Sequence, residues 1–196
     1  KNDFVVGLVI ILILSFTTPG FTQEKASSDR PDWTHKTTFE KDGHIYFTGG
    51  FLNGADYPLS IRCANAEALK VATQSISQYI RSVFSMYSQG VNTGSSGIER
   101  FVEDGIATLV NNLHLQGIRQ KEVYFEKHQA NQSQPTYDVF VMLEISQQDY
   151  LKAKTAVLER LKDQFETVGE TEAKEKAEKL LDELKKGVNK KSQKGA

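Results

Sequence analysis

Between residues 44 and 87 the hydrophobic pattern changes from strand-like to helical, and the other predicted elements are arranged around that change. Residues 44–52 are rich in β-branched and aromatic side chains. They follow Lys41-Asp42-Gly43, whose Asp-Gly pair suits the positive φ of a tight hairpin turn. Paired strands are therefore expected, with Phe39 on one and Ile45 on the other. Past Gly49 and Gly50 the segment 53–58 is turn-like, and Pro58 suits the first helical position because its missing N–H would have had no partner there. From Pro58 to Tyr87 the residues Leu69, Ala72, Ile76, Tyr79, Ile80, Val83 and Tyr87 recur at spacings of three and four, one apolar stripe facing a sheet. Ala64, Ala68 and Ala72 form a second row with nothing beyond Cβ, so this helix is expected to approach its neighbour closely.

A Gly/Ser-rich connection follows, and Ser96-Gly97-Ile98-Glu99 then matches a capping box that opens a second helix. Its apolar face is Ile98, Phe101, Val102, Ile106, Leu109, Val110 and Leu113. Gly105 in its middle costs roughly 1 kcal/mol relative to Ala, tolerable if it permits close packing. Residues 117–127 and 135–145 read as an antiparallel strand pair. In the second, Tyr137, Val139, Val141, Leu143 and Ile145 share one face. The first loses alternation around Glu122-Val123-Tyr124-Phe125, which points to a bulge.

Ser146-Gln-Gln-Asp149 reads as a helix start, and residues 150–188 are helical by composition. Leu158, Leu161, Phe165 and Val168 form one stripe, and Ala177, Leu181, Leu184 and Val188 another, with the phase broken near Gly169-Glu170-Thr171. The break allows a kink or two helices. These stripes are too apolar for water and too Lys/Glu-flanked for a bilayer interior. The expected cover is a second chain, because the sheet face is already assigned to the two preceding helices. The contact residues are then Leu158, Leu161, Phe165, Val168, Leu181 and Leu184, and deleting 169–196 should leave the core folded. The competing reading folds the helix back on its own sheet.

At 196 residues the chain suits one ordinary domain with appendages. Its 24 basic and 25 acidic residues nearly cancel, so nothing in the overall charge argues for nucleic acid. The basic tail, with Lys190, Lys191 and Lys194, reads as solvated and only secondarily as a peripheral contact for anionic lipid. Residues 4–16 are almost wholly apolar behind Lys1, and with 17–20 after them they have the regions of a secretory signal, cleaved after Gly20 or Thr22. As a helix this run rises only about 20 Å, short of a bilayer core of roughly 30 Å. The absence of an initial Met suggests that a residue or two precede Lys1. The expected layout is a signal peptide at 1–22, a linker at 23–32, a domain at 33–150, a helical segment at 151–188 and a tail at 189–196.

Active-site chemistry finds little to work with. The single Cys63 excludes an intrachain disulfide, and its place in the first helix beside Ala64 suits a small buried hydrophobe. His35, His44, His114 and His128 show no metal-ligand spacing and read as surface residues. Phosphate-loop, nucleophile-elbow and zinc motifs do not occur. No enzyme, cofactor or metal is therefore expected. A binding-module alternative, for a small ligand or cell-wall fragment, gives Trp33 and Tyr46 the ligand contacts at an aromatic-lined turn.

The order Pro31-Asp-Trp33, a strand ending in Thr48-Gly49-Gly50, an Ala-rich helix with Cys63-Ala-Asn-Ala-Glu-Ala68, a second helix, then Leu115-Gln-Gly117 and Tyr137-Asp-Val-Phe-Val141 resembles the Lpp-twenty lipoprotein family. That family takes in Helicobacter-type outer-membrane lipoproteins and FlgP-like flagellar proteins. The resemblance covers Trp33 to about Tyr150 and implies a β-α-β-β core, export to the periplasm or outer membrane, assembly into multimers and no catalytic residues. The chain lacks the acylated lipobox cysteine of that family, and its charged C-terminal helix lies outside the resemblance. Together these expectations describe an α+β fold. An antiparallel three- to four-stranded sheet is covered by two helices, with a long C-terminal amphipathic helix added. The protein is expected to be an exported envelope assembly component, partnered by itself or by other envelope proteins.

Overall fold

The computed structural model describes residues 30–88, 96–111, 113–129, 134–169 and 171–192, without the side chains of 86–88, 96–102, 111, 172 and 187–192. The expected signal peptide, its cleavage points, most of the linker and the end of the basic tail lie outside the described residues, as do the side chains of Tyr87, Ile98, Phe101, Val102 and Val188. No helix among the described residues is long and apolar enough to cross a membrane.

The fold is α+β, as the pattern predicts. A 3-10 turn (Asp32–His35) leads into β1 (Thr38–Lys41), β2 (His44–Gly54), α1 (Tyr57–Ser88), α2 (Ser96–Asn111), β3 (Arg119–His128), β4 (Thr136–Ser146), α3 (Gln147–Val168) and α4 (Thr171–Ser192). The strands make one four-stranded antiparallel sheet in the order β1-β2-β4-β3. Asp42 and Gly43, both at positive φ, join β1 to β2, and Phe39 pairs with Tyr46. The expected break in β3 falls slightly earlier than its sequence suggests, at a register shift between Gln120 and Glu122.

Helix α1 starts one residue before Pro58. The Asp56 carboxylate accepts the Leu59 N–H at 2.7 Å, and the Asp56 carbonyl accepts the Ser60 N–H at 2.9 Å, so Asp56 caps the helix. The row Ala64, Ala68 and Ala72 is fully buried. Where it crosses β2 the two backbones touch: a Cβ built on Gly49 would lie 2.2 Å from the Ala68 nitrogen and 2.3 Å from the Ala64 carbonyl oxygen. A glycine facing an alanine row is the residue combination that permits this separation. The approach seals Ala64 and Ala68 against Val139, Val141 and Leu143 of β4.

Beyond the sheet, the second half of α1 carries Ile76, Ile80, Val83 and Phe84 into a core built with α2, α3 and α4. Two expectations are corrected here. First, α2 packs on α1 and α3 and does not share the sheet face; a Cβ on Gly105 of α2 would lie 2.9 Å from Leu161 Cδ1 of α3. Second, the long C-terminal helix is two helices folded against each other, the second of the options that the broken phase near Gly169 allows. Ser146 caps α3 by accepting the Asp149 N–H at 3.0 Å, and Gly169, in the left-handed region at φ 77°, ends it. Lys174 of α4 then pairs back to Glu166 of α3 at 2.9 Å.

The stripes assigned to a second chain therefore find cover within this one. Leu158, Leu161, Phe165 and Leu181 are buried in the same core as Ile76 and Ile80, and Leu184 packs against it half-buried. Val168 alone of the six stays exposed, at 52%. The expectation fails because the sheet face carries α1 and only the start of α3, which leaves the other side of α1 for helix packing.

Two outcomes follow. Gly49→Ala should destabilise the domain by more than the roughly 1–3 kcal/mol usual for overpacking, because the new Cβ meets backbone that cannot rotate away. Urea melts unchanged within error would refute the contact. Deleting 171–196 strips Leu180 and Leu181 from the core, worth at least about 3 kcal/mol at 1.5–3 kcal/mol for each leucine, so the truncated protein should melt at clearly lower denaturant. An unchanged midpoint would show that α4 is not part of the core.

Candidate functional site

Alternation along the strands sends Ile45, Phe47, Val139, Val141, Leu143 and Ile145 toward the helices and leaves Phe39, Tyr46, Thr48, Phe140, Met142 and Glu144 on the opposite face. No helix covers that outer face among the described residues. The strap 30–37 crosses it instead. Arg30 lies over the Phe140 ring at 4.9 Å, the Thr48 hydroxyl donates to the Trp33 carbonyl at 3.3 Å, and the Thr48 N–H donates to the Thr37 carbonyl at 3.0 Å.

Trp33 and Tyr46, the ligand contacts expected from sequence, are both placed on this face; the Tyr46 ring is used structurally, and Trp33 offers its backbone carbonyl to Thr48. Tyr46 is 9% exposed, with its ring stacked on Phe39 at 4.7 Å. Trp33 is half-buried, and its Nε1 is buried without a hydrogen-bond partner. Neither ring lines the cavity of about 460 Å³ between α2 and α3 or the one of about 430 Å³ beside His44, Arg119, Glu144 and Asp149.

Charged groups on the outer face are held in defined pairs. Glu144, 3% exposed, accepts from Arg119 at 2.6 Å and faces Lys121 at 3.3 Å. Burial pushes its carboxyl up, but the hydrogen bonds from Arg119 and Lys121 outweigh that and hold it below the ordinary range. At the other end of the strands Arg30 grips Glu126 through one edge of its guanidinium, with Nε to Oε1 at 2.9 Å and the second contact through a terminal nitrogen to Oε2. Tyr124 adds its hydroxyl to Glu126 at 3.1 Å. The Arg30 hydrogen bond is the main reason that the Glu126 carboxyl is held low.

Beside this grip His128 approaches two carboxylates: Nε2 stands 3.1 Å from Asp138 Oδ2 and 3.9 Å from Glu126 Oε2. The sequence gives no hint of the cluster, since its members are ordinary strand residues and Asp138 stands ten and twelve positions from His128 and Glu126, across a loop. Two features bring them together: alternation puts residues 126 and 128 on one face, and the register places Glu126 opposite Asp138. His35 and His114 are exposed, as expected of surface residues, and Cys63 is half-buried with a free thiol.

At the same end of the sheet, large apolar side chains reach solvent. Phe51 and Phe125 both pair with Val139, one from each neighbouring strand, and are 37% and 47% exposed. Leu52, which follows Phe51 in β2, and Leu59, in the first turn of α1, are 55% and 48% exposed. Tyr57 bridges the region, with its ring 4.7 Å from Phe125 and 5.4 Å from Tyr137.

The grip on Glu126 has a pH signature. Its folded value is depressed below the ordinary 4.5, so the contribution is complete above 4.5 and disappears as pH falls through the folded value. Arg30→Met should therefore lower stability by a constant amount near neutrality, with the gap to wild type closing in acid. A gap that persists unchanged well below pH 4.5 would show that the pair does not hold the strap. Comparison of the chain with family models, curated proteins and solved structures finds no match.

Proposed function

We propose that this protein is an exported cell-envelope assembly module without catalytic activity, and that it self-associates through the open end of its sheet. The observation that carries the reading is a set of exposed apolar side chains at one end of the sheet: Phe51 and Phe125 on the strands either side of β4, Leu52 after Phe51, and Leu59 in the first turn of α1. Scattered surface apolar residues are ordinary, but several at one end of a sheet with an unpaired strand edge suit protein contact. The far half of β2, 49–53, has no β1 partner among the described residues and carries no charge, which suits pairing by another strand there. This surface replaces the C-terminal stripes, whose cover is internal.

Export is supported by the apolar leader-like run at 4–16, and the envelope setting by the motif resemblance to the Lpp-twenty family. The ligand-binding alternative is weakened by the burial of the Tyr46 ring against Phe39.

Multi-angle light scattering across a concentration series gives the test. The expected result is a mass that rises to a defined multimer, and a Leu52→Asp, Phe125→Asp variant that stays monomeric with unchanged far-UV circular dichroism. A wild-type protein that remains a strict monomer at high concentration would contradict assembly, and a variant with full multimer mass would move the contact elsewhere.

A further inference from the structure

We infer that Glu126, His128 and Asp138 form a binding site for a divalent transition-metal cation of the zinc type, at the end of the β3–β4 hairpin on the outer face of the sheet. Three different ligand-type side chains converge there, with donor atoms all within 4.8 Å of one another. Two ligands on a tetrahedral zinc at about 2.0–2.1 Å lie roughly 3.3 Å apart, which is close to the 3.1 Å from His128 Nε2 to Asp138 Oδ2 and within reach of the 3.9 Å to Glu126 Oε2. The two carboxylates are largely buried, with side chains 15% and 16% exposed.

The histidine is the telling member. Its Nε2 is shielded from solvent and makes no aligned hydrogen bond, although two carboxylate oxygens stand nearby. A simple ion pair would turn the N–H onto one oxygen; a nitrogen directed at neither is placed as a shared ligand would require.

The surrounding contacts orient the carboxylates as outer-shell partners do. The Asn53 N–H holds Asp138 Oδ1 at 2.8 Å, leaving Oδ2 toward the histidine. Asn53 reaches it from a left-handed conformation, φ 56°, inside the register shift between Phe51 and Gly54. The Tyr124 hydroxyl fixes Glu126 Oε1. One imidazole nitrogen with two carboxylates favours zinc over magnesium or calcium, which take sets of oxygen ligands.

Arg30 brings a positive charge to the same Glu126. A cation at the site must share or displace it, so metal binding and the grip of the strap oppose each other. This coupling separates the proposal from a bare acidic surface, where removing one arginine would change only a diffuse field.

Isothermal titration of the purified full chain with zinc chloride, and separately with calcium chloride, gives the test. One zinc per chain is expected, with calcium bound at least about tenfold more weakly. His128→Ala and Asp138→Asn should each weaken zinc by roughly tenfold or more, while Arg30→Met should tighten it. His128→Gln serves as the second variant if His128→Ala does not fold. The cobalt-loaded protein should show a tetrahedral absorption band that His128→Gln abolishes. No zinc binding by the wild type, equal binding by the histidine variants, equal affinity for calcium, or an unchanged affinity in Arg30→Met would each overturn the proposal.

Discussion

The backbone contact between Gly49 of β2 and the Ala64–Ala68 row of α1 sets the spacing on which the other packing depends. A helix resting on a sheet normally stands off by the length of the side chains between them. Here there is no side chain at the crossing, and the separation is fixed by main-chain atoms. Val139, Val141 and Leu143 are consequently sealed by small residues, and α1 is pinned at one end. Its second half then extends past the strands and provides the surface on which α2, α3 and α4 assemble. The sheet and the helical core meet through α1, through Ile118 just before β3, and through the ends of β2, β4 and α3.

The same arrangement leaves the outer face to a different kind of chemistry. With no described helix over it, the face is closed by the 30–37 strap, by stacked aromatics such as Phe39 on Tyr46, and by charges in hydrogen-bonded pairs. Glu144 and Glu126 mark opposite ends of this face, and both are held ionised by basic partners. The end near Glu126 is also where apolar side chains reach solvent and where β2 has no β1 partner among the described residues. Contact surface and polar cluster thus sit on two sides of one strand end, joined by Asp138 and Asn53.

What could be read from the sequence was whatever local chemistry decides. Asp42-Gly43 announces a hairpin because few other pairs tolerate two positive φ values, and Ser146 announces a helix start because its hydroxyl can accept an amide hydrogen. The alanine row was legible as a close approach because spacing four on a helix is one face. Cover was not legible: an apolar stripe such as Leu158-Leu161-Phe165 states that burial is needed, not by what. The error about a second chain came from placing α2 on the sheet, a tertiary choice that its own sequence does not encode. The Glu126, His128 and Asp138 cluster was hidden for a related reason. Strand register decides it, and a one-residue slip would send Asp138 to the other face.

Native-state amide hydrogen exchange, followed residue by residue, tests the central role of the α1–β2 contact most directly. If that contact holds the domain together, amides of 64–80 in α1 and of the inner strands β2 and β4 should exchange only through global unfolding and share one free energy, while α4 opens at lower cost. Exchange of the α1 amides well ahead of β2 and β4 would show that the helix leaves the sheet independently, and would contradict the account.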